Sequence, residues 1–333
     1  MSKKDEMKKE EQIDFISSPS LKNAIKKTKR KQTVKYILIA LLTTTILLVI
    51  LFNGSQYILN KRIEENGENS LYNRIHGANI SFGSKSYNHD LFSVTAETKY
   101  YKTIGERTIL WDKKMEKIPL FGKVHSIEKE SVMTEVISHN KEAQRYIRYN
   151  DFNNERKIDF YYPGLSYDYL PNELDTAIDL DKNTLIEVAL SFRKPMTLTE
   201  LSRQLGQKNV NWLWVDTTTK SQMKQMEVEL NGDDLKTKHG EQALGFDSSS
   251  EQIQYSEEDG QYFINTLEQL IKEGNHKTVV TKALKGIKEN TKQTEGKILI
   301  NGAVVTGTAE ELKRFQNLSF IRASVLGATI DKN

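Results

Sequence analysis

The sequence predicts an α+β protein carried on a single membrane-spanning helix. Three observations predict that class: an uncharged apolar run close to the amino terminus, alternating strand and helix signals through the second half of the chain, and an approximate internal repeat within that half.

The stretch "KKTKRKQTVKYILIALLTTTILLVILF", from Lys26 to Phe52, passes from a dense basic run into an apolar one without a break, and no charged residue falls between Tyr36 and Asn60. An α-helix rises about 1.5 Å per residue and needs roughly 20 apolar residues to cross the hydrocarbon core of a bilayer, so residues 36–59 are expected to form a transmembrane helix. Thr43, Thr44 and Thr45 are compatible with lipid, because each hydroxyl can bond a carbonyl one turn back. A cleaved signal peptide fits less well. Its basic region is short and its apolar region ends in a small-x-small site, whereas 35 residues precede this run and it exits through Phe52, Asn53, Gly54 and Ser55.

Lys22, Lys26, Lys27, Lys29, Arg30, Lys31 and Lys35 precede the span with no acid among them, while Lys61 and Arg62 beyond it are followed by Glu64 and Glu65. Basic flanks stay in the cytoplasm, which predicts residues 1–35 as a cytoplasmic tail and everything after about residue 60 as extracytoplasmic. The flanking cations Lys26, Lys27, Lys29, Arg30, Lys31 and Lys35 also hold the tail near an anionic leaflet, each by about 1 kcal/mol. The tail carries eleven Lys or Arg against five Asp or Glu, net +6, and the rest of the chain is net −3, so the overall +3 hides two oppositely charged compartments. Topology accounts for the basic run, and no direct contact with nucleic acid is expected.

The outer region is long enough for one large or two ordinary domains. The chain has no cysteine, which excludes disulfides, thiolate metal sites and cysteine nucleophiles. Residues 60–150 open on a polar linker, Glu64 to Ser70, and continue in runs such as "LFSVTAETKYY" and "SVMTEVISH", whose Val, Thr, Tyr and Ile content reads as strand. Residues 151–333 alternate strand and helix signals and form the carboxyl-terminal domain. Within it, "TLIEVALSFRKPMTLTELSRQLGQKNVNWLWVDTT" from Thr184 and "GKILINGAVVTGTAEELKRFQNLSFIRASVLGATI" from Gly296 each run strand, helix, strand. Thr197 with Glu200, and Thr308 with Glu311, have capping-box spacing. Leu198, Leu201 and Leu205 share one helical face, as do Leu312 and Phe315. Ile186, Val188, Leu190 and Phe192 alternate with Glu187 and Ser191, the pattern of a half-buried strand. Two such units on one sheet suggest an α+β sandwich of ferredoxin-like type. Between the copies, "YFINTLEQLIKEG" reads as an amphipathic helix, and Lys220 to Gly260 reads as a long polar loop.

No catalytic constellation emerges, and neither an enzyme nor a cofactor is expected. His76, His89, His125, His139, His239 and His276 lack the spacing that places two imidazoles on one metal, and each reads as a surface histidine. The chain has no nucleophile elbow and no glycine-rich phosphate loop. One S-x-x-K occurs at Ser221 to Lys224 without the K-T-G partner that a penicillin-interacting site would need. Trp212 and Trp214 occupy alternate strand positions, hence one face. Exposed, they would form a platform for stacking a sugar ring; covered, they are core, and the second reading is favoured.

"SLKNAIKKTKRKQTVKYILIALL" resembles the amino-terminal membrane module of the sigma factor regulator family of Gram-positive bacteria. "EVALSFRKPMTLTEL", "NWLWVDT", "ALGFD", "YFINTLEQLIKEG" and "GAVVTGTAEELKRF" resemble, in order, the carboxyl-terminal domain of that family. The resemblance implies a membrane anti-sigma factor: an inner segment that restrains an extracytoplasmic-function sigma factor and an outer domain that responds to the envelope. The tail is too short to bury a core and is expected to be largely disordered until it folds on a partner, with Ser18, Pro19 and Ser20 as a helix start. Phe15, Ile16, Leu21 and Ile25 are the candidate contacts for the sigma factor, and the alternative is weak binding of the same segment to the membrane surface. The tail lacks the His and Cys zinc pattern of compact inhibitory domains, which leaves room for a second membrane protein. An anchored cell-wall-binding module or wall enzyme is the competing reading.

Overall fold

The computed structural model describes residues 19–65, 70–127, 136–140, 145–248, 255–274 and 276–332. Helix α1 (Pro19–Glu65) contains 47 residues and is about 70 Å long at 1.5 Å per residue. Its apolar stretch is exposed from Tyr36 to Gly54 and is long enough to cross a bilayer, so α1 is a candidate membrane span. The hydroxyls of Thr43, Thr44 and Thr45 donate to the carbonyls of Ile39, Ala40 and Leu41 at 3.0, 2.8 and 2.9 Å, which leaves no unpaired hydroxyl proton on the lipid-facing surface. The helix begins at Pro19 and runs through the basic segment, where the sequence suggested disorder. Nucleation is the costly step of helix formation, and the span supplies a nucleus from which residues 19–35 propagate. Phe15 and Ile16 lie outside the described residues.

Beyond the span, α2 (Ser70–Ile75) leads into a four-stranded antiparallel sheet of β1 (Ser81–His89), β2 (Ser93–Ile104), β3 (Arg107–Pro119) and β4 (His125–Ser126), paired in that order. A hairpin of β5 (Val136–Asn140) and β6 (Arg145–Tyr149) follows, then β7 (Asp159–Tyr161) and the short α3 (Leu174–Ile178). The first repeat unit is β8 (Thr184–Thr197), α4 (Leu198–Leu205) and β9 (Val210–Val215). The insertion between the units holds α5 (Lys220–Glu229), α6 (Asp233–Lys236), β10 (Thr237–His239), β11 (Gly245–Asp247), α7 (Glu257–Glu273) and α8 (Lys277–Asn290). The second unit is β12 (Leu299–Thr308), α9 (Ala309–Leu312) and β13 (Ile321–Asp331).

The second sheet has the order β11-β9-β12-β8-β13, and its neighbours are antiparallel throughout. Numbered within the two units, the repeat strands stand 2-3-1-4, which is the split strand-helix-strand order of a ferredoxin-like sandwich, with β11 added at one edge. Both capping boxes form. Thr197 Oγ1 accepts from Glu200 N at 3.3 Å and Glu200 Oε2 accepts from Thr197 N at 2.9 Å; Thr308 and Glu311 repeat this at 3.4 and 2.9 Å. One face of the sheet presents Ile186, Val188, Leu190 and Phe192 to Leu198, Leu201, Leu205, Phe263, Leu267, Leu312 and Phe315 of the helices.

The other face is covered as well, which corrects the half-buried reading of β8. Phe160, Tyr161 and Tyr162 lie over Ala189, Trp212, Trp214, Val304 and Val325, with Met223 and Met226 of α5 at the margin. Lys220 to Gly260 is therefore not one long loop. α5 escapes an apolar pattern because none of its residues is fully buried, but Thr219 and Gln222 form a capping box at its start.

The clearest departure is Glu187, which is fully buried rather than solvated. Lys102 Nζ of β2 donates to both of its carboxylate oxygens at 2.8 Å, Asn79 Nδ2 donates to Oε1 at 3.0 Å, and Lys102 also lies 4.0 Å from the Trp111 ring centre. The division expected at residue 150 is crossed here. Ile104 and Trp111 of the first sheet share an apolar cluster with Leu185 and Ala328 of the second, and Tyr72 and Ile75 of α2 join the helical side of the main core. Removing one member of a buried ion pair strands the other charge. Glu187→Ala is thus expected to destabilise the full-length protein by about 3–5 kcal/mol, and Lys102→Met with Glu187→Leu to recover most of that. Urea unfolding followed by tryptophan fluorescence reads both.

Candidate functional site

The chemistry is distributed along α1 and the sheet that receives it. At the amino-terminal end of α1, Leu21 and Ile25 are exposed and sit four residues apart, hence on one helical face. Lys22, Lys26, Lys27, Lys29, Arg30, Lys31 and Lys35 are all exposed around them. The segment thus presents a small apolar strip in a field of fixed positive charge.

At its carboxyl-terminal end, α1 docks on the first sheet. Leu59 is fully buried against Val94, Ala96, Ile118 and Leu120, with Ile63 beside it. Polar contacts pin the same junction. Gln56 Nε2 donates to the Asp90 carbonyl at 3.1 Å, Gln56 Oε1 meets His89 Nδ1 at 2.9 Å, and the Arg62 guanidinium donates to the carbonyls of Leu120 and Gly122 at 3.1 and 2.5 Å. This docking was not read from the sequence. Its one sequence signal is the apolar spacing of Leu59, the last residue of the expected span, and Ile63 one turn on.

A cleft of about 710 Å³ opens where the turn between β2 and β3 meets the ends of β9, β11 and β12. Its lining is dominated by amides and hydroxyls. Thr306 Oγ1 accepts from Gly105 N at 2.9 Å and donates to Asn211 Oδ1 at 2.8 Å, Asn211 Nδ2 donates to the Thr103 carbonyl at 3.1 Å, and Asn209 Nδ2 donates to the Thr306 carbonyl at 2.9 Å. The Asn209 Oδ1 is buried there without a partner among the described residues. β2 links this cleft to the membrane helix: Val94 packs on Leu59, and Ile104, ten residues on, lies beside the cleft, about 34 Å away in extended chain.

Trp212 and Trp214 offer no platform. Both are buried, with Phe160 stacked 4.9 Å from Trp214 and Tyr162 edge-on to it at 4.9 Å, so no indole face is open to a sugar. His76 departs from the surface reading and is half-buried, while His276 is exposed as expected. His76 and His276 both stack on Tyr72, with ring centres 4.6 and 3.6 Å away. Burial, reinforced by the nearby Lys238 and His276 charges, lowers the His76 pKa to about 4. Among the described residues no group of three or more His, Cys, Asp or Glu is placed to hold a metal ion.

Residues 22–109 match the family Sigma factor regulator N-terminal, and residues 178–328 match Sigma factor regulator C-terminal. The two matches together span most of the chain, which belongs to the sigma factor regulator family. The first covers α1 and its docking sheet through β2; the second covers the repeat domain. Membership in this regulatory family, together with a candidate membrane span, supports an anti-sigma factor role and is consistent with a protein that is not an enzyme. No curated protein and no solved structure matches the chain.

Leu59→Ala opens a cavity at the helix–sheet contact and is expected to weaken docking by about 2–5 kcal/mol. Hydrogen exchange should accelerate at Val94, Ala96 and Ile118 while Ile186 and Val188 stay protected. A histidine whose folded pKa lies below its unfolded value resists protonation in the fold, so stability is intact above about pH 6.5 and declines as pH falls toward 4. His76→Gln should flatten denaturation midpoints measured across that window.

Proposed function

We propose that the chain is a single-pass anti-sigma factor, its amino terminus in the cytoplasm and its repeat domain outside, that restrains an extracytoplasmic-function sigma factor of a Gram-positive cell and responds to envelope stress. The observation that carries this reading is the unbroken helix that joins an exposed apolar strip at one end to a docked outer domain at the other.

Distance favours a protein over lipid as the partner of the strip. Ile25 and Leu21 precede Lys35 by ten and fourteen residues, about 15 and 21 Å of helix. The headgroup zone extends only about 5–8 Å beyond the hydrocarbon edge on each side, so a straight α1 carries the strip clear of the leaflet. Folding it back would need a kink, and residues 26–35 contain neither Gly nor Pro. Leu21 and Ile25, with Phe15 and Ile16 upstream, dock in a groove on the sigma factor, and the basic residues between strip and span complement acidic surface on that factor or on the leaflet. With no compact inhibitory domain in the tail, a second membrane protein supplies further contact. The outer cleft is the place at which an envelope component acts, and β2 leads from it to the docked end of α1.

The test is retention of the sigma factor by the full-length protein in isolated membranes, washed at raised salt to remove purely electrostatic capture. Leu21→Asp with Ile25→Asp is expected to release it, and deletion of residues 2–25 to abolish restraint in cells. Undiminished function after that deletion would instead favour an anchored wall-binding module.

A further inference from the structure

The outer end of the span can be placed from side chains. Tyr36 and Tyr57 are both exposed, Tyr57 to 73%, and lie 21 residues apart, about 31 Å of helix. The hydrocarbon core is about 30 Å thick and tyrosine favours its two boundaries, so Tyr57 marks the outer one. The neighbouring Gln56 is bonded to the Asp90 carbonyl, which sets the turn between β1 and β2 at this height. The tip of that turn is Leu91 and Phe92, with Phe92 53% exposed.

A second tip stands beside it. Side chains on a helix lean toward its amino terminus, so the Arg62 guanidinium reaches back toward the membrane, where it bonds the carbonyls on either side of Phe121. Phe121 is 79% exposed, the most of any phenylalanine described, and Lys123 is exposed two residues on. The two turns form one edge, because Leu120 N donates to the Phe92 carbonyl at 2.7 Å. Both turns thus carry an uncovered aromatic tip at the end of the sheet nearest the boundary that Tyr57 marks.

We propose that Leu91, Phe92 and Phe121 insert into the interfacial layer of the outer leaflet, with Lys123 directed at lipid phosphate. The occupant is lipid because the edge is continuous with the span through Gln56 and Arg62. The outer domain is then held against the bilayer at three points, α1 and two apolar tips, rather than swinging on a single helix. This inference rests on α1 crossing the membrane.

The absence of cysteine allows single-site labelling without background. Phe92→Cys, Phe121→Cys, Leu47→Cys and Val228→Cys are each labelled with a polarity-sensitive fluorophore in the full-length protein. The samples are reconstituted at high lipid-to-protein ratio in phosphatidylcholine–phosphatidylglycerol vesicles, with and without lipid spin-labelled near the headgroup or at mid-chain. Labels at 92 and 121 are expected to shift to the blue and to lose emission to the headgroup quencher, the label at 47 to lose it to the mid-chain quencher, and the label at 228 to lose it to neither. Quenching at 47 with none at 92 and 121 overturns the inference while leaving the span intact; no quenching at 47 removes the span on which it rests. A blue shift at 92 and 121 that needs high protein density and ignores both quenchers assigns the edge to a second copy of the chain and also overturns it. The two tip positions are independent, so a misfolded variant at one, seen as a red-shifted emission from the buried Trp212 and Trp214, leaves the other to decide.

Discussion

The domain that follows α1 is organised around one buried ion pair. Lys102 and Glu187 are both shut off from water, and neither charge is tolerable there without the other. Lys102 lies on the second strand of the first sheet and Glu187 on a central strand of the second, so their pairing obliges the two sheets to meet in one register. Asn79 and the backbone amide of Ala328 complete the carboxylate's hydrogen bonds. Such a pair adds little net stability over an apolar substitute, but it penalises every arrangement that separates its members. Ile104, Trp111, Leu185 and Ala328 seal the contact with apolar packing.

With the sheets locked, the remaining geometry is inherited. One end of β2 lies at the polar cleft and the other carries Val94 and Ala96 against Leu59 of the membrane helix. A strand in a four-stranded sheet is a poor spring, because bending it breaks ladder bonds with both neighbours. Cleft and helix are accordingly two ends of one stiff element.

Elements whose cause is local were legible in the sequence. The span follows from an uncharged run, the two capping boxes from T-x-x-E, and α7 from the periodicity of Phe263, Leu267 and Leu270. The repeat suggested a ferredoxin-like sandwich, and the 2-3-1-4 strand order is the structure's addition. What could not be read depends on contacts distant in the chain. Glu187 looked like the polar side of a half-buried strand because its partner is 85 residues away. The cover over Trp212 and Trp214 comes from 158–170, an aromatic-rich run with no sustained helical or alternating period to assign it a packing face, and from the mostly polar α5. The helical basic segment was masked by its charge, since like-charged neighbours argue against an isolated helix but not against the extension of one already nucleated.

The continuity of α1 fixes a mechanical ratio. From Leu59, where the helix is clamped, to Leu21 is 38 residues, a lever arm of about 57 Å. A tilt of about 10° at the clamp sweeps the amino-terminal end sideways by about 10 Å, close to a full helix diameter. Displacements in the sheet that clamps α1, too small to disturb its packing, are therefore geared up to the scale on which a protein surface is covered or uncovered.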